Sequence, residues 1–234
     1  MAPRQAPPAG TKLVIVLSDG MGGHAAGDVA SRTACAVFLG ELARQQGDTI
    51  QRLGRSLHAA NAGIRDTVQE APHLNGMGAT LVGVHFSPGG AEWISVGDSP
   101  LFLYRRRQLA RLNADHSLSP LLDQLVAEGK MSAQDAKADP RRHYLRSAIT
   151  GEELDLIDAS DAPLRLEADD IVLLASDGLL TLEEEEIRDV ITAHVGHGLD
   201  AVADALMRAV DAAGDLHQDN TTLIVVGAQL SGLT

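Results

Sequence analysis

The run Ala79-Thr80-Leu81-Val82-Gly83-Val84-His85-Phe86-Ser87-Pro88-Gly89-Gly90-Ala91-Glu92-Trp93-Ile94-Ser95-Val96 decides the fold. Ala79 to Phe86 is rich in strand-forming residues, Ser87 to Gly90 is turn chemistry, and Ala91 to Val96 resumes the strand, so the segment reads as a β-hairpin. A hairpin makes its sheet antiparallel. Upstream, Leu13 to Leu17 is a short apolar strand that stops at Ser18-Asp19-Gly20-Met21-Gly22-Gly23, a glycine-rich turn. Helical spacing follows from about Gly27, through Val29, Cys35, Val37, Phe38 and Leu42. A second helix puts Ile50, Leu53, Leu57, Ile64 and Val68 on one stripe, with Asp48 placed to cap it and Gln51 to reach back. Downstream, Leu101 to Arg105 and Gln108 to Leu112 can pair as strands. Ser117 to Lys137 turns helical, with Leu118, Leu121, Leu122 and Leu125 on one side, and Asp139 to His143 is a loop. Ile171 to Ala175 is a fully apolar strand, Glu183 to His194 and Leu199 to Ala213 read as helices, and Thr221 to Val226 closes the chain as a strand. Mixed elements joined by hairpins, without strict βαβ alternation, predict an α+β domain with antiparallel sheet.

Composition narrows the function. The 234 residues suffice for one domain or two small ones, and 32 acidic against 19 basic side chains leave a net charge of −13. That balance disfavours a nucleic-acid partner, which selects a basic face, but it suits cations. A single cysteine, Cys35, excludes an intramolecular disulfide framework and a structural zinc site. No apolar window is long enough to span a membrane. Met1 to Gly10 is rich in Pro and Ala and lacks the apolar block of a signal peptide, so it reads as a flexible tail on a cytoplasmic protein.

One pattern recurs at strand ends. Asp19-Gly20 follows Val14 to Leu17, Asp98 follows Trp93 to Gly97, Asp177-Gly178 follows Val172 to Ala175, and Asp219-Asn220 precedes Thr221 to Val226. Asp-Gly pairs are ordinary turn residues, and spacing alone leaves that reading open. The other reading is a site. Strand ends are rigid supports, and carboxylates gathered at one sheet end would repel one another unless hard divalent cations neutralised them.

These residues give the sequence a recognisable likeness. It resembles the metal-dependent Ser/Thr protein phosphatases (the PPM family, type 2C) in their compact bacterial form. Ser18-Asp19-Gly20-Met21-Gly22-Gly23-His24 with Gly27-Asp28-Val29-Ala30-Ser31 is similar to the family's first glycine-rich motif, and Gly78-Ala79-Thr80 to its next strand start. Val96-Gly97-Asp98-Ser99 with Asp115-His116-Ser117 resembles the middle motif, and Arg146-Ser147-Ala148-Ile149-Thr150-Gly151 the segment after the flap. Ala175-Ser176-Asp177-Gly178-Leu179 and Asp219-Asn220-Thr221-Thr222 resemble the last two. Ordered motifs from Asp19 to Val226 are a far more specific signal than any one Asp-Gly-x-Gly-Gly.

The resemblance implies an αββα sandwich of two antiparallel sheets flanked by helices, a single phosphatase-like domain over residues 11–234 with a flap around 117–145. It implies hydrolysis of phosphoserine and phosphothreonine by attack of a hydroxide bridging two Mn²⁺ or Mg²⁺ ions, with a possible third ion. Asp19 would bridge both metals, the Gly20 carbonyl would bind the second, Asp177 and Asp219 would complete the first, and Asp98 with Asp177 would hold the third. Asp19, Asp177 and Asp219 are thus the catalytic set. The family's flap shapes substrate choice, and within it Arg141 and Arg142 are the candidate substrate-binding residues. The implied partners are phosphorylated proteins, substrates of a Ser/Thr kinase. No nucleophilic side chain is needed, and Cys35 lies in a helical pattern without a phosphate loop after it.

Two departures matter. The family ordinarily carries Arg-x-x-Asn-Glu/Gln-Asp before the first glycine motif, whereas here Arg4-Gln5 is followed by Ala-Pro-Pro and no acidic residue precedes Asp19. The expectation is a missing phosphate-gripping Arg, a missing second-metal carboxylate and a missing edge strand. A pseudophosphatase, binding a phosphoprotein or kinase without turnover, is therefore the alternative to an enzyme. Met21 also stands where eukaryotic relatives carry a proton-donating His. Elsewhere the bland readings are preferred. Asp115-His116 is a loop-ordering pair, Arg105-Arg106-Arg107 a solvated strand end, Glu183 to Glu186 a helix cap, and Trp93 a core residue.

Overall fold

The computed structural model describes residues 12–216 and 218–228; the tail expected over Met1 to Gly10 lies outside them. In chain order the elements are β1 (Leu13–Leu17), β2 (Gly20–Met21), α1 (His24–Arg44), α2 (Thr49–Glu70), β3 (Gly78–Ala79), β4 (Leu81–Ser87) and β5 (Gly90–Val96). They continue with β6 (Leu101–Arg105), β7 (Gln108–Arg111), α3 (Ser119–Ala127), α4 (Ala133–Ala138), β8 (Asp158–Ala159), β9 (Ile171–Ala175), α5 (Glu184–His194), α6 (Leu199–Ala213) and β10 (Leu223–Gly227).

The hairpin forms as its sequence predicts, β4 running antiparallel to β5 from Leu81 opposite Val96 to Ser87 opposite Gly90. It lies at the middle of a sheet ordered β1-β4-β5-β8, and a second sheet is ordered β10-β9-β6-β7. Every pairing in both is antiparallel. Period-two alternation then builds three layers of core. Val82, Val84 and Phe86 face Leu101, Leu103, Val172 and Leu174 across the gap between the sheets. The intervening Leu81, Ile94 and Val96 face α1 and α2 through Phe38, Leu42, Leu53, Leu57 and Ile64. On the far side Ile171, Leu173 and Ala175 face α5 and α6 through Ile187, Ile191, Val202 and Leu206. The result is helices, sheet, sheet, helices: the αββα sandwich.

Several boundaries shift for physical reasons. Helix α1 starts at His24, earlier than the expected Gly27. A Cβ on Gly20 would stand 1.9 Å from the Gly27 carbonyl oxygen, so two glycines let the first helical turn lie directly on β2. Its buried line is Ala30, Ala34, Phe38 and Leu42, a stripe of small residues that apolar periodicity weighs poorly. Helix α2 is capped as expected, Asp48 Oδ1 accepting from the Gln51 N–H at 3.0 Å. The helix expected over Ser117 to Lys137 divides into α3 and α4, because Gly129 turns left-handed at φ 70° and the Lys130 N–H returns to the Leu125 carbonyl, a helix-ending motif. Of its leucine stripe, Leu122 is buried and Leu121 is 40% exposed. The strand expected from Ala79 breaks at Thr80, whose backbone N–H is taken by the Asp19 carbonyl at 2.8 Å. The capping box at Glu183 and Glu186 and the exposed hairpin turn at Arg106-Arg107 follow the sequence reading, but Arg105 does not: its guanidinium is half-buried and pairs with the buried Asp170 at 2.6 Å. Trp93 is half-buried, its Nε1–H donating to Asp158 Oδ2 at 3.0 Å.

The Phe38 ring is fully buried against the backbone of Gly83, bonding α1 to the middle of the first sheet. Phe38→Ala is expected to destabilise the fold by about 3–5 kcal/mol, read as a lower urea midpoint at unchanged slope.

Candidate metal centre

The four strand-end aspartates converge. Asp19 leaves β1 and Asp98 leaves β5 in one sheet, while Asp177 leaves β9 and Asp219 precedes β10 in the other. All four line one cleft of about 610 Å³ at the end of the sandwich.

Each side of the cleft is held by the same local device. On the first sheet, the Ser18 hydroxyl donates to the Thr80 carbonyl at 2.6 Å and the Asp19 N–H donates to Thr80 Oγ1 at 3.0 Å. Thr80 Oγ1 also shares a 2.7 Å hydrogen bond with Ser99 Oγ, next to Asp98. On the second sheet, the Ser176 hydroxyl donates to the Asn220 carbonyl at 3.0 Å and accepts from the Thr222 N–H at 3.0 Å. Gln218 Nε2 donates to the carbonyls of Gly178 and Asp219, each at 2.9 Å, joining the Asp177 turn to the Asp219 loop. Arg111 donates to the Asp98 carbonyl at 2.7 Å. Ser18, Thr80 and Ser176 stand in the family-like motifs without a role of their own there, and Gln218 lies outside them; the signal for the serines is the tripeptide Ser-Asp-Gly, which occurs at both Asp19 and Asp177.

Electrostatically the cleft is under tension. Burial, then the charge of neighbouring Asp177 and after it that of Asp219, push Asp19 up to about 7. Burial and the charges of Asp177 and Asp115 push Asp98 up to about 7. Asp177 is raised as well, by burial and then by Asp219, with Asp19, the Gly178 backbone and His143 pulling the other way. Asp177 Oδ1 is buried and meets no hydrogen-bond donor. An orphaned carboxylate oxygen among raised acids fits a site for a hard cation, and the donor set is all oxygen, which suits Mg²⁺ or Mn²⁺. Among the described residues no three His, Cys, Asp or Glu side chains already meet as a ready-made ligand cluster, so a cation would have to draw these carboxylates in.

The remaining candidates separate. The Gly20 backbone lines the cleft, as does Met21. Arg141 and Arg142 do not line it: Arg141 is held by Asp139 at 2.8 Å and Arg142 by Asp123 at 2.8 Å, both carboxylates belonging to the 117–145 segment. Their flap neighbour His143, weighed with them from the sequence, does line it, as do Tyr144, Arg146, Thr150, Glu152, Glu153 and Asp155, which have no site role in the sequence reading. Asp115 accepts from the Ser117 N–H at 2.8 Å and His116 Nδ1 from the Gly97 N–H at 3.2 Å, the loop-ordering roles expected of them. Cys35 is half-buried in α1, and burial pushes its thiol up, the reverse of an activated thiolate.

An αββα sandwich with a carboxylate cleft at its end defines a class of metal-site protein, and comparison with known proteins gives the family. Residues 7–217 match protein phosphatase 2C. The chain is 35% identical over 173 residues to the serine/threonine protein phosphatase PstP of Mycobacterium tuberculosis, covering 73% of this chain and 32% of PstP. It is 31% identical over 220 residues to protein phosphatase PhpP of Streptococcus pneumoniae, covering 92% of this chain and 85% of PhpP. The catalytic domain of PstP, crystallised in complex with two manganese ions, superposes with a TM-score of 0.67 at 29% identity, covering 94% of this chain and 92% of that one. The chain belongs to the protein phosphatase 2C family. It spans about a third of the length of PstP. Among the described residues no helix is long and apolar enough to cross a membrane.

The raised carboxyls make a stability prediction. Folded Asp19 and Asp98 keep their protons up to about 7, whereas the unfolded chain releases them near 3.8, so the folded state binds more protons between those values and loses stability as pH rises through them. In EDTA the melting temperature is expected to fall between pH 5.5 and pH 8, Asp98→Asn to flatten that fall, and Mn²⁺ to reverse it at pH 8, all readable by scanning calorimetry.

Proposed function

We propose that this chain is a metal-dependent protein phosphatase that hydrolyses phosphoserine and phosphothreonine on proteins, opposing a cytoplasmic Ser/Thr kinase. The observation that carries the reading is the ring of four strand-end aspartates around one cleft, with a buried Asp177 oxygen left unpartnered. The names of the relatives support turnover over the binding-only alternative.

In this reading Asp19, Asp177 and Asp219, with the Gly20 carbonyl, would hold two Mn²⁺ or Mg²⁺ ions, and Asp98 with Asp177 would hold a third, weaker one. When bound, the ions neutralise the carboxylates, activate water at neutral pH and polarise the phosphoryl oxygens. Thr80 and Ser176 hold the aspartate backbones in register with the sheets, so that drawing the carboxylates onto a cation asks movement of side chains and not of strands. A cleft of about 610 Å³ has room for a phosphorylated side chain, with residues 143–155 lining it beside the aspartates. Arg141 and Arg142, both engaged in ion pairs within their own segment, reach a substrate only if those pairs open.

Asp19→Asn is expected to lower Mn²⁺-dependent hydrolysis of p-nitrophenyl phosphate and of a phosphothreonine peptide by roughly 100-fold or more while the protein stays folded. EDTA should abolish the wild-type rate and Mn²⁺ restore it. Wild-type rates from Asp19→Asn would reject the site; metal and phosphopeptide binding without turnover in the wild type would put the binding-only reading in its place.

A further inference from the structure

We propose that Arg146 is the residue that grips the substrate phosphate. Among the described residues it is the one Lys or Arg that lines the cleft, in a lining that includes Asp19, Asp98, Asp177 and Asp219. It is exposed, and no ion pair or side-chain hydrogen bond among the described residues engages it. The inference rests on the phosphatase reading above and adds to it the source of positive charge on the protein itself.

The contrast with its neighbours is chemical. Arg141 and Arg142 each place a guanidinium fork on a carboxylate, which satisfies the donors a phosphate would otherwise take. Arg146 leaves its fork free beside seven acidic lining residues, including Glu152, Glu153 and Asp155 on its own wall. A phosphate monoester approaching those acids is repelled. A permanent planar cation offers two parallel N–H donors to its non-bridging oxygens and offsets that repulsion, which a compact ammonium does less well.

Arg146 is also fixed where it needs to be. Its N–H donates to the His116 carbonyl at 2.7 Å. Just before it, Leu145 bridges Ser117, and the Leu118 N–H donates to the Tyr144 carbonyl at 3.0 Å. Just after it, the Ser147 hydroxyl donates to the Leu156 carbonyl at 2.9 Å, and Ile149 exchanges both backbone bonds with Ala79, one residue from the Thr80 that holds Asp19. The backbone that carries Arg146 is thereby tied to the same strand ends that carry the aspartates. A phosphate clamp needs that shared frame, because its distance to the cations must be constant.

The test compares wild type, Arg146→Ala and Arg146→Lys, with Arg106→Ala on the β6–β7 turn as the control. In saturating Mn²⁺, Arg146→Ala is expected to raise KM for p-nitrophenyl phosphate and for a phosphothreonine peptide at least about tenfold, and Arg146→Lys to recover part of the loss. Calorimetric titration of inorganic phosphate into the Mn²⁺-loaded proteins reads the same contact without turnover, and Kd should rise in parallel. The Mn²⁺ dissociation constant should stay within about twofold of wild type, since one charge-assisted contact to phosphate is removed and no ligand is. Unchanged KM and unchanged phosphate Kd would overturn the proposal. So would a loss that follows a weakened Mn²⁺ affinity, which would make Arg146 a tuner of the metal centre. A wild type that binds phosphate through Arg146 yet never turns over would leave this inference standing and remove the phosphatase reading.

Discussion

Carboxylates cannot be crowded into a half-buried cleft unless something holds them there and something neutralises them. The fold supplies the first and the chemistry demands the second. Asp19 and Asp98 are both pushed up to about 7, and in each the leading cause is burial with a neighbouring aspartate behind it. An arrangement so unfavourable for the bare chain persists because three layers of apolar core, none depending on the cleft, fix where the four strands end. The acids do not choose their positions; Leu81, Val84, Leu173 and Leu174 choose them.

The two sheets solve this problem in the same way. Each contributes a Ser-Asp-Gly tripeptide just past an apolar strand, and in each the serine hydroxyl reaches across to the backbone of the neighbouring segment, Thr80 on one side and Asn220 and Thr222 on the other. The serine stops the strand pairing from fraying at the point where the aspartate must turn outward. The glycine then lets the backbone turn tightly, most visibly where Gly20 lies on Gly27. Side-chain hydrogen bonds to backbone ordinarily compete with sheet ladders. Here they finish them, which converts a fraying strand end into a rigid support for the aspartate.

What the sequence disclosed follows from which physics is local. Strands β1, β4, β5 and β9, helix α6 and the cap of α2 were legible because apolar periodicity and capping chemistry act within a few residues. The four aspartates were legible for the same reason, since each is adjacent to the strand that carries it. The two-residue strands β2, β3 and β8 were not, because nothing in Gly20-Met21, Gly78-Ala79 or Asp158-Ala159 favours extension; distant partners impose it. The division of α3 from α4 hinged on the sign of φ at one glycine. Arg141 and Arg142 drew attention as adjacent cations in a loop, yet adjacency says nothing of which carboxylate each will meet. Asp139 is local and was readable in principle; Asp123 is on α3 and was not.

The cleft therefore has two walls of different construction. The aspartate wall is built from strand ends with hydrophobic layers behind it. The opposite wall, residues 143–155, belongs to a return path whose outlying helices bury little, Leu122 in α3 and Ala136 in α4 against an exposed Leu121 and Tyr144. Low burial means low local stability, and such segments open before a core does. Yet the bonds that close the excursion, from Ser117 to Leu145 and from Leu118 to Tyr144, lie between α3 and Arg146. Motion of α3, α4 and the Arg141-Arg142 loop is thus mechanically separated from the arginine that lines the cleft with the aspartates. On the proposed reading, substrate variety is accommodated on the loosely packed side of that closure while the side carrying Arg146 keeps its geometry, so adaptability in one wall costs the cleft little precision.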